Sequence, residues 1–267
     1  MTLRRRSTAT PTVGVKLTVI GCSGSYPGPD SPASCYLLEQ EHEGRTWRVL
    51  MDLGSGAFGV LQRYVDPLSI DAVLLSHLHA DHCLDLCGFY VMRKYHPDGP
   101  QPRLPVWGPS DTAGRMARAY DLDEDPGMTA EFDFRPWAPG IEVTIGPFTV
   151  KVVRVEHPVE AYGLRIGAGG GLIAFSGDTG RCDQLVQLAT GSDLLLAEAS
   201  FHHKADNPPG IHLTGTYCGE VAKAAGVGRL VITHVPPWYD PRDMLAAAQK
   251  VWDGTADLAT QGATYEV

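Results

Sequence analysis

The stretch that decides the fold is Ala72-Val73-Leu74-Leu75-Ser76-His77-Leu78-His79-Ala80-Asp81-His82. Its first four residues are apolar and predict a short buried strand. Four potential metal ligands follow within six residues, namely His77, His79, Asp81 and His82. Imidazole and carboxylate groups suit Zn, Mn or Fe, so the motif predicts a metal site at a strand end. The alternative is a cluster of surface histidines where a strand meets a loop.

Length and composition are those of one large globular domain, which we place at residues 15–267. The chain has 267 residues, 43% of them hydrophobic and 20% charged. Residues 1–14 contain three arginines but no apolar segment, which predicts a disordered tail and neither a signal peptide nor a membrane anchor. The six cysteines form no C-x-x-C pair, which favours reduced thiols and a cytoplasmic location.

The net charge of −9 limits the classes of partner. An acidic protein repels a long phosphate backbone, so the charge argues against binding of long nucleic acids. A small anion held by metal fits this composition better.

The remaining elements predict an α/β (α+β) chain in which two sheets face each other with helices outside. Runs of strands alternate with single helices in two similar halves, and a five-residue glycine turn at 167–171 joins two of the strands. Three further predicted strands end in a potential ligand, and these ligands are His157, Asp178 and His234.

Ligands on strand ends are held rigidly, as a catalytic metal site requires. The set predicts two ions, one bound by His77, His79 and His157, the other by Asp81, His82 and His234, with Asp178 bridging. Two such ions would keep open positions and lower the pKa of a water held between them. Asp52, at the end of another predicted strand, either orients a metal-binding histidine or caps a helix, and we favour these roles over direct binding of the metal.

The complete pattern resembles the metallo-β-lactamase superfamily over nearly the whole chain. That resemblance implies a four-layer αββα sandwich with two divalent ions, usually zinc. Within the superfamily the chain looks like ribonuclease Z and its phosphodiesterase relatives. This implies that His212, assisted by Glu198, protonates the leaving oxygen and that the protein is a homodimer. Our hypothesis for the mechanism adds that Asp81 assists as a base while remaining a ligand.

Two departures from ribonuclease Z argue against tRNA as the substrate. The long arm that grips tRNA is replaced by the short stretch 164–174, and the basic loop near the first strand is replaced by Pro29-Asp30-Ser31-Pro32-Ala33-Ser34. The motifs are instead similar to those of actinobacterial atypical class II cyclic-nucleotide phosphodiesterases. The segments that carry this similarity are 21–25, 28–34, 76–86, 108–112 and 233–238.

That similarity implies hydrolysis of a small anionic phosphodiester, namely a 3′,5′-cyclic nucleotide such as cAMP, to the 5′-monophosphate. Other hydrolases on the same scaffold remain alternatives, including ribonuclease, arylsulfatase-like and lactonase chemistry. A metal-binding nucleotide sensor without catalysis is an alternative of a different class. Four aromatic residues either stack on the base or belong to the core and rim: Tyr26, Tyr162, Phe201 and Trp238.

Overall fold

The computed structural model describes residues 14–204 and 206–267. The predicted disordered tail lies outside the described residues, except for Gly14. The strands in chain order are β1 (Lys16–Gly21), β2 (Cys35–His42), β3 (Arg45–Met51), β4 (Ala72–Leu74), β5 (Leu104–Gly108), β6 (Phe132–Pro136), β7 (Glu142–Ile145), β8 (Phe148–Arg154), β9 (Tyr162–Ala168), β10 (Gly171–Phe175), β11 (Leu194–Glu198), β12 (Arg229–Thr233), β13 (Thr255–Leu258) and β14 (Thr264–Glu266). The helices are α1 (Ala57–Leu61), α2 (Ala80–Cys83), α3 (Leu86–Lys94), α4 (Thr112–Ala119), α5 (Asp183–Ala189), α6 (Gly215–Ala225) and α7 (Pro241–Gln249).

These strands form two mixed seven-stranded sheets. The first has the order β14-β1-β2-β3-β4-β5-β6, and the second has the order β13-β12-β11-β10-β9-β8-β7. Apart from β14, each sheet is therefore built from one half of the chain. The metal motif leaves the first sheet after β4, whereas His157, Asp178 and His234 leave the second sheet after β8, β10 and β12.

Three apolar layers hold the sheets and helices together. Because side chains alternate along a strand, Leu38 of β2 faces the other sheet, whereas its neighbour Leu37 packs under the helices of its own sheet. Between the sheets, the rings of Tyr36 and Phe175 lie 5.3 Å apart. Helices α5, α6 and α7 cover the outer face of the second sheet through a separate cluster. This arrangement confirms the predicted four-layer αββα sandwich.

Local details differ from the sequence-based prediction. The predicted five-residue turn at 167–171 is a two-residue turn of Gly169 and Gly170, because β9 and β10 pair as far as Ala168 and Gly171. Both turn glycines have positive φ, a conformation that side chains disfavour. Strand β13 was not predicted, because its sequence Thr-Ala-Asp-Leu carries little strand signal.

The cysteines and the helices have two further properties. All six cysteines are unpaired. Within 14–204 and 206–267, no helix combines the length and apolar character needed to cross a membrane.

Candidate metal centre

The first group of predicted ligands meets beyond the end of β4. His77 Nε2 lies 3.0 Å from His79 Nδ1, and His157 Nε2 lies 3.2 Å from the same atom. Asp178 Oδ2 lies 3.7 Å from His77 Nε2. One ligand atom from each of these residues lies within 4.8 Å of the others, so the four side chains could hold one metal ion.

A second group lies directly beside the first and shares Asp178. His82 Nε2 lies 3.0 Å from His234 Nε2, which in turn lies 3.1 Å from Asp81 Oδ2. Asp178 Oδ1 lies 3.3 Å from His82 Nε2. The structure therefore divides the seven predicted ligands between the two groups proposed from sequence and places Asp178 between them.

Hydrogen bonds at Nδ1 orient four of the five histidine rings so that the lone pair on Nε2 faces the other ligands. Ser76 Oγ donates to Asp52, so His77 Nδ1 donates to Ser76 Oγ at 3.1 Å. Ser200 Oγ donates to the carbonyl of His234, so His234 Nδ1 donates to Ser200 Oγ at 2.9 Å. These bonds use the Nδ1–H of each neutral ring and leave Nε2 without a proton.

His82 and His157 follow the same rule. His82 Nδ1 donates to Asp52 at 2.7 Å, and His157 Nδ1 donates to the carbonyl of Ile211 at 2.9 Å. When Nδ1 carries the only proton of each ring, the Nε2 atoms of His82 and His234 present two lone pairs to each other at 3.0 Å. A cation or a proton between them removes this repulsion.

The remaining properties of the cluster also fit a divalent ion. Nitrogen ligands of tetrahedral zinc, at 2.0–2.1 Å from the metal, lie about 3.4 Å apart, close to the separations seen in both groups. Asp178 Oδ1 is buried and has no hydrogen-bond partner among the described residues. Burial lowers the pKa of His77, His79 and His157, which keeps these rings in the neutral form that binds metal. The identity and number of the ions stay predictions.

Asp52 supports the cluster and does not cap a helix. It is fully buried and accepts hydrogen bonds from Ser34 Oγ, from the backbone and hydroxyl of Ser76, and from His82. The side chain of Asp52 makes no cap at α1, where Gly56 precedes the helix. Of the two roles left open by the sequence, its contacts fit the first, which is to orient a metal-binding histidine.

Two glycines that the sequence reasoning passed over bring the backbone of the site together. A Cβ at Gly54 would lie 1.8 Å from the carbonyl oxygen of Asp81, and a Cβ at Gly24 would lie 2.3 Å from that of His234. Only glycine allows the neighbouring loops to approach the ligands so closely. The sequence shows glycine-rich turns at 21–25 and 54–56, but it does not show which part of the backbone each turn contacts.

His212 and Glu198 lie next to the second group. His212 Nδ1 donates to Glu198 Oε1 at 2.9 Å and lies 3.9 Å from Asp178 Oδ2. The carboxylate is fully buried and also accepts from the backbone of Thr179 and Ser200. Burial lowers the pKa of His212, but the negative charges of Glu198 and Asp178 outweigh it and raise that pKa to about 9.

The four candidate aromatic residues have different environments. Tyr26 and Trp238 are exposed and their rings lie 5.2 Å apart, so they form a pair on the rim. Phe201 meets the ring of His212 edge-on at 5.0 Å. Tyr162 is buried in the core between the sheets and donates to Glu160, which places it among the core residues.

Comparison with known proteins places this geometry in a family. The profile described as "Beta-lactamase superfamily domain" matches residues 47–235. The matched region contains all seven predicted metal ligands, as well as Glu198 and His212.

Several relatives are similar over most of their length. An uncharacterized protein of Mycobacterium tuberculosis is 47% identical over 96% of this chain and 93% of its own. The probable metallo-hydrolase YhfI of Bacillus subtilis is 28% identical over 94% of this chain and all of its own, and its crystal structure superposes with a TM-score of 0.83, covering 96% of this chain and 100% of the other. A ribonuclease Z of Mycobacterium bovis is 30% identical over 85% of this chain and 88% of its own.

Proposed function

The chain belongs to the β-lactamase superfamily, and on that premise we propose that it is a metal-dependent phosphodiesterase that hydrolyses 3′,5′-cyclic nucleotides, such as cAMP, to 5′-monophosphates. The observation that carries the proposal is the buried Glu198–His212 pair beside the metal-ligand cluster. A superfamily fold with ligands alone would not specify the reaction. A protonated imidazole next to the cluster suits a reaction in which an alkoxide leaves.

Bound divalent ions would neutralise charge on the phosphoryl oxygens and lower the pKa of water. The protein's own contribution is to place the groups around them. Glu198 occupies Nδ1 of His212, so the proton that His212 could give to a substrate is the one on Nε2. This proton could pass to the 3′ oxygen as the phosphoester bond breaks. Asp81, a predicted ligand with its carboxylate in the second group, would assist as a base.

Size and charge favour a small substrate. The interval between His157 and Asp178 is occupied by β9 and β10 and their two-residue turn, with no inserted arm. The net charge of −9 opposes a polynucleotide. A cyclic mononucleotide brings a single phosphodiester charge to the cluster and requires no extended binding surface.

Ribonuclease activity is the second candidate, and the 30% identity to ribonuclease Z favours it. An assay of cAMP, bis(p-nitrophenyl) phosphate, a pre-tRNA and a lactone side by side, with zinc or manganese supplied, separates the candidates. We expect turnover of cAMP and of the model diester. Efficient cleavage of pre-tRNA without cAMP turnover would replace the proposal with the ribonuclease, and unconsumed cAMP bound for hours would support a sensor.

We further propose a homodimer, in keeping with the resemblance to ribonuclease Z. Light scattering coupled to gel filtration measures the mass of the particle in solution. A mass near 28.8 kDa, that of one chain, would contradict this proposal.

A further inference from the structure

A cavity of about 380 Å³ lies beside the metal centre, on the side of His79. Its lining combines residues of the metal motif, the loop after β5 with helix α4, and the loop after His157. These residues are Leu78, His79, Ala80, Pro109, Asp111, Arg115, Val159 and Glu160. The volume falls in the range of small-molecule sites, and because the imidazole of His79 forms one wall, a molecule in this cavity touches the predicted metal centre.

The cavity offers apolar walls together with one charged group that has no partner. Asp111 is paired with Arg118, and Glu160 accepts hydrogen bonds from Ser110 and Tyr162. Arg115, by contrast, makes no side-chain hydrogen bond or ion pair with any residue in 14–204 or 206–267. Its charge lowers the pKa of the thiols of Cys83 and Cys87, against the larger, opposite effect of burial.

This lining identifies the kind of group that fits. The side chains of Leu78, Pro109 and Val159 supply apolar surface, and Val159 is 37% exposed although it is apolar. Since both acidic residues are already satisfied, the unpaired guanidinium makes the cavity complementary to a hydrogen-bond acceptor. A flat apolar ring with acceptor nitrogens or oxygens on its edge meets both requirements, and a nucleobase is such a ring. A bare anion would leave the apolar walls unused.

We propose that this cavity binds the nucleobase of the substrate, with Arg115 donating to acceptor atoms on the edge of the base. The inference rests on the proposed phosphodiesterase function, and it assigns the part of the protein that distinguishes a nucleotide from any other phosphodiester. The walls are held in place by Glu160, which joins the loop of Val159 to the loop of Ser110 through hydrogen bonds of 2.7 and 3.2 Å.

The test compares cAMP with a base-free analogue, the 3′,5′-cyclic phosphate of methyl riboside, in the metal-loaded enzyme. In Arg115→Met we expect the KM for cAMP to rise roughly tenfold or more, the range for a lost hydrogen bond to a charged group. The ratio of kcat/KM between cAMP and the analogue should fall by the same factor. The control is Arg229→Met, at the start of β12 and thus at the opposite end of that strand from His234. Arg229 is absent from the cavity wall, so this variant should keep the wild-type ratio.

A second variant, Val159→Trp, tests whether the substrate needs the volume of the cavity, because the larger side chain at this exposed position would fill it. It should lower the same ratio, and adenosine should inhibit wild type more strongly than either variant. An unchanged ratio in both Arg115→Met and Val159→Trp overturns the inference while leaving the phosphodiesterase intact. Inhibition by ribose 5-phosphate that depends on Arg115, without any by adenosine, would show an anion site and also overturn it. Failure of wild type to hydrolyse either cyclic phosphate would refute the proposed function instead.

Discussion

Asp52 Oδ2 lies 2.7 Å from Nδ1 of His82, and the same oxygen accepts the hydroxyl hydrogen of Ser76. Because Ser76 in turn accepts from His77, one buried carboxylate fixes a ring in each of the two ligand groups. Asp52 adopts a positive φ of 58°, an uncommon conformation for a residue other than glycine. The residue that orients both groups therefore has a strained backbone conformation.

Replacement of Asp52 by Asn should weaken metal binding without removing any predicted ligand. The amide offers one acceptor oxygen where the carboxylate offers two, and loss of such supporting bonds costs roughly 10–100-fold in metal affinity. Metal titration followed by calorimetry measures the change. Asp66→Asn, at an exposed aspartate that caps a short 3₁₀ turn, is the control and should bind metal as wild type does. Equal affinity in Asp52→Asn and Asp66→Asn would contradict the role given to Asp52.

Asp178 is expected to be needed for the binding of both ions. In Asp178→Asn, metal content measured by mass spectrometry of the purified protein should fall, and turnover of cAMP should fall at least a hundredfold. Zinc that binds only the folded protein raises its Tm, so chelation should lower the Tm of wild type more than that of the variant. A variant that retains the full metal content would show that Asp178 does not bridge the two groups.

His212→Ala should retain metal but lose turnover. His212 could hold an ion together with Glu198 and His234, but it is not one of the seven predicted ligands of the two groups, so metal content should match wild type. Loss of a general acid typically costs roughly 10²–10⁴-fold in rate. His203→Ala, which removes an exposed histidine of the same loop, should leave kcat close to wild type. Full activity of His212→Ala would exclude His212 from the mechanism.

The dependence of rate on pH tests Glu198. With a pKa raised to about 9, His212 is protonated at neutral pH, and turnover should fall as pH rises through that pKa. Bound cations counteract the effect of the carboxylates on the pKa of His212. In the metal-loaded enzyme the rate should therefore begin to fall at a pH below 9. Glu198→Gln removes a negative charge, lowers the pKa of His212 and should shift this fall in rate to lower pH. An unshifted pH–rate profile with a uniformly lower rate would indicate that Glu198 only supports the loop.

Replacement of Gly54 or Gly59 by alanine should change the stability of the protein in opposite directions. Gly54→Ala places a methyl group against the Asp81 carbonyl, and the displaced backbone should reduce both stability and metal affinity. Gly59 lies inside α1 with open space around its Cβ position, so Gly59→Ala should stabilise the protein by about 0.5–1 kcal/mol. Urea unfolding of both variants measures these changes. Equal stability of the two variants would show that the close approach at Gly54 is not required.

The sequence by itself predicted most of the strands, two facing sheets with helices outside, and the seven candidate ligands, because apolar runs that end in His or Asp are local patterns. His77, His79, Asp81 and His82 follow one strand, so their proximity needs no tertiary knowledge. The roles suggested for Glu198 and His212 came from resemblance, since a lone carboxylate or imidazole carries no signal. The glycine turn at 167–171 was predicted too long, because sequence does not show how far a strand pair extends.

Only the tertiary structure decided which side chains meet. The sequence singled out Asp52 but not its partner Ser76, because their shared hydrogen bonds depend on β3 and β4 lying side by side. Arg115 and Arg118 occupy the same short helix and cannot be distinguished by pattern, yet one is paired and the other lines the cavity. The physical reason is that hydrogen bonds and ion pairs act over a few ångströms, whereas the residues that form them are tens of positions apart along the chain.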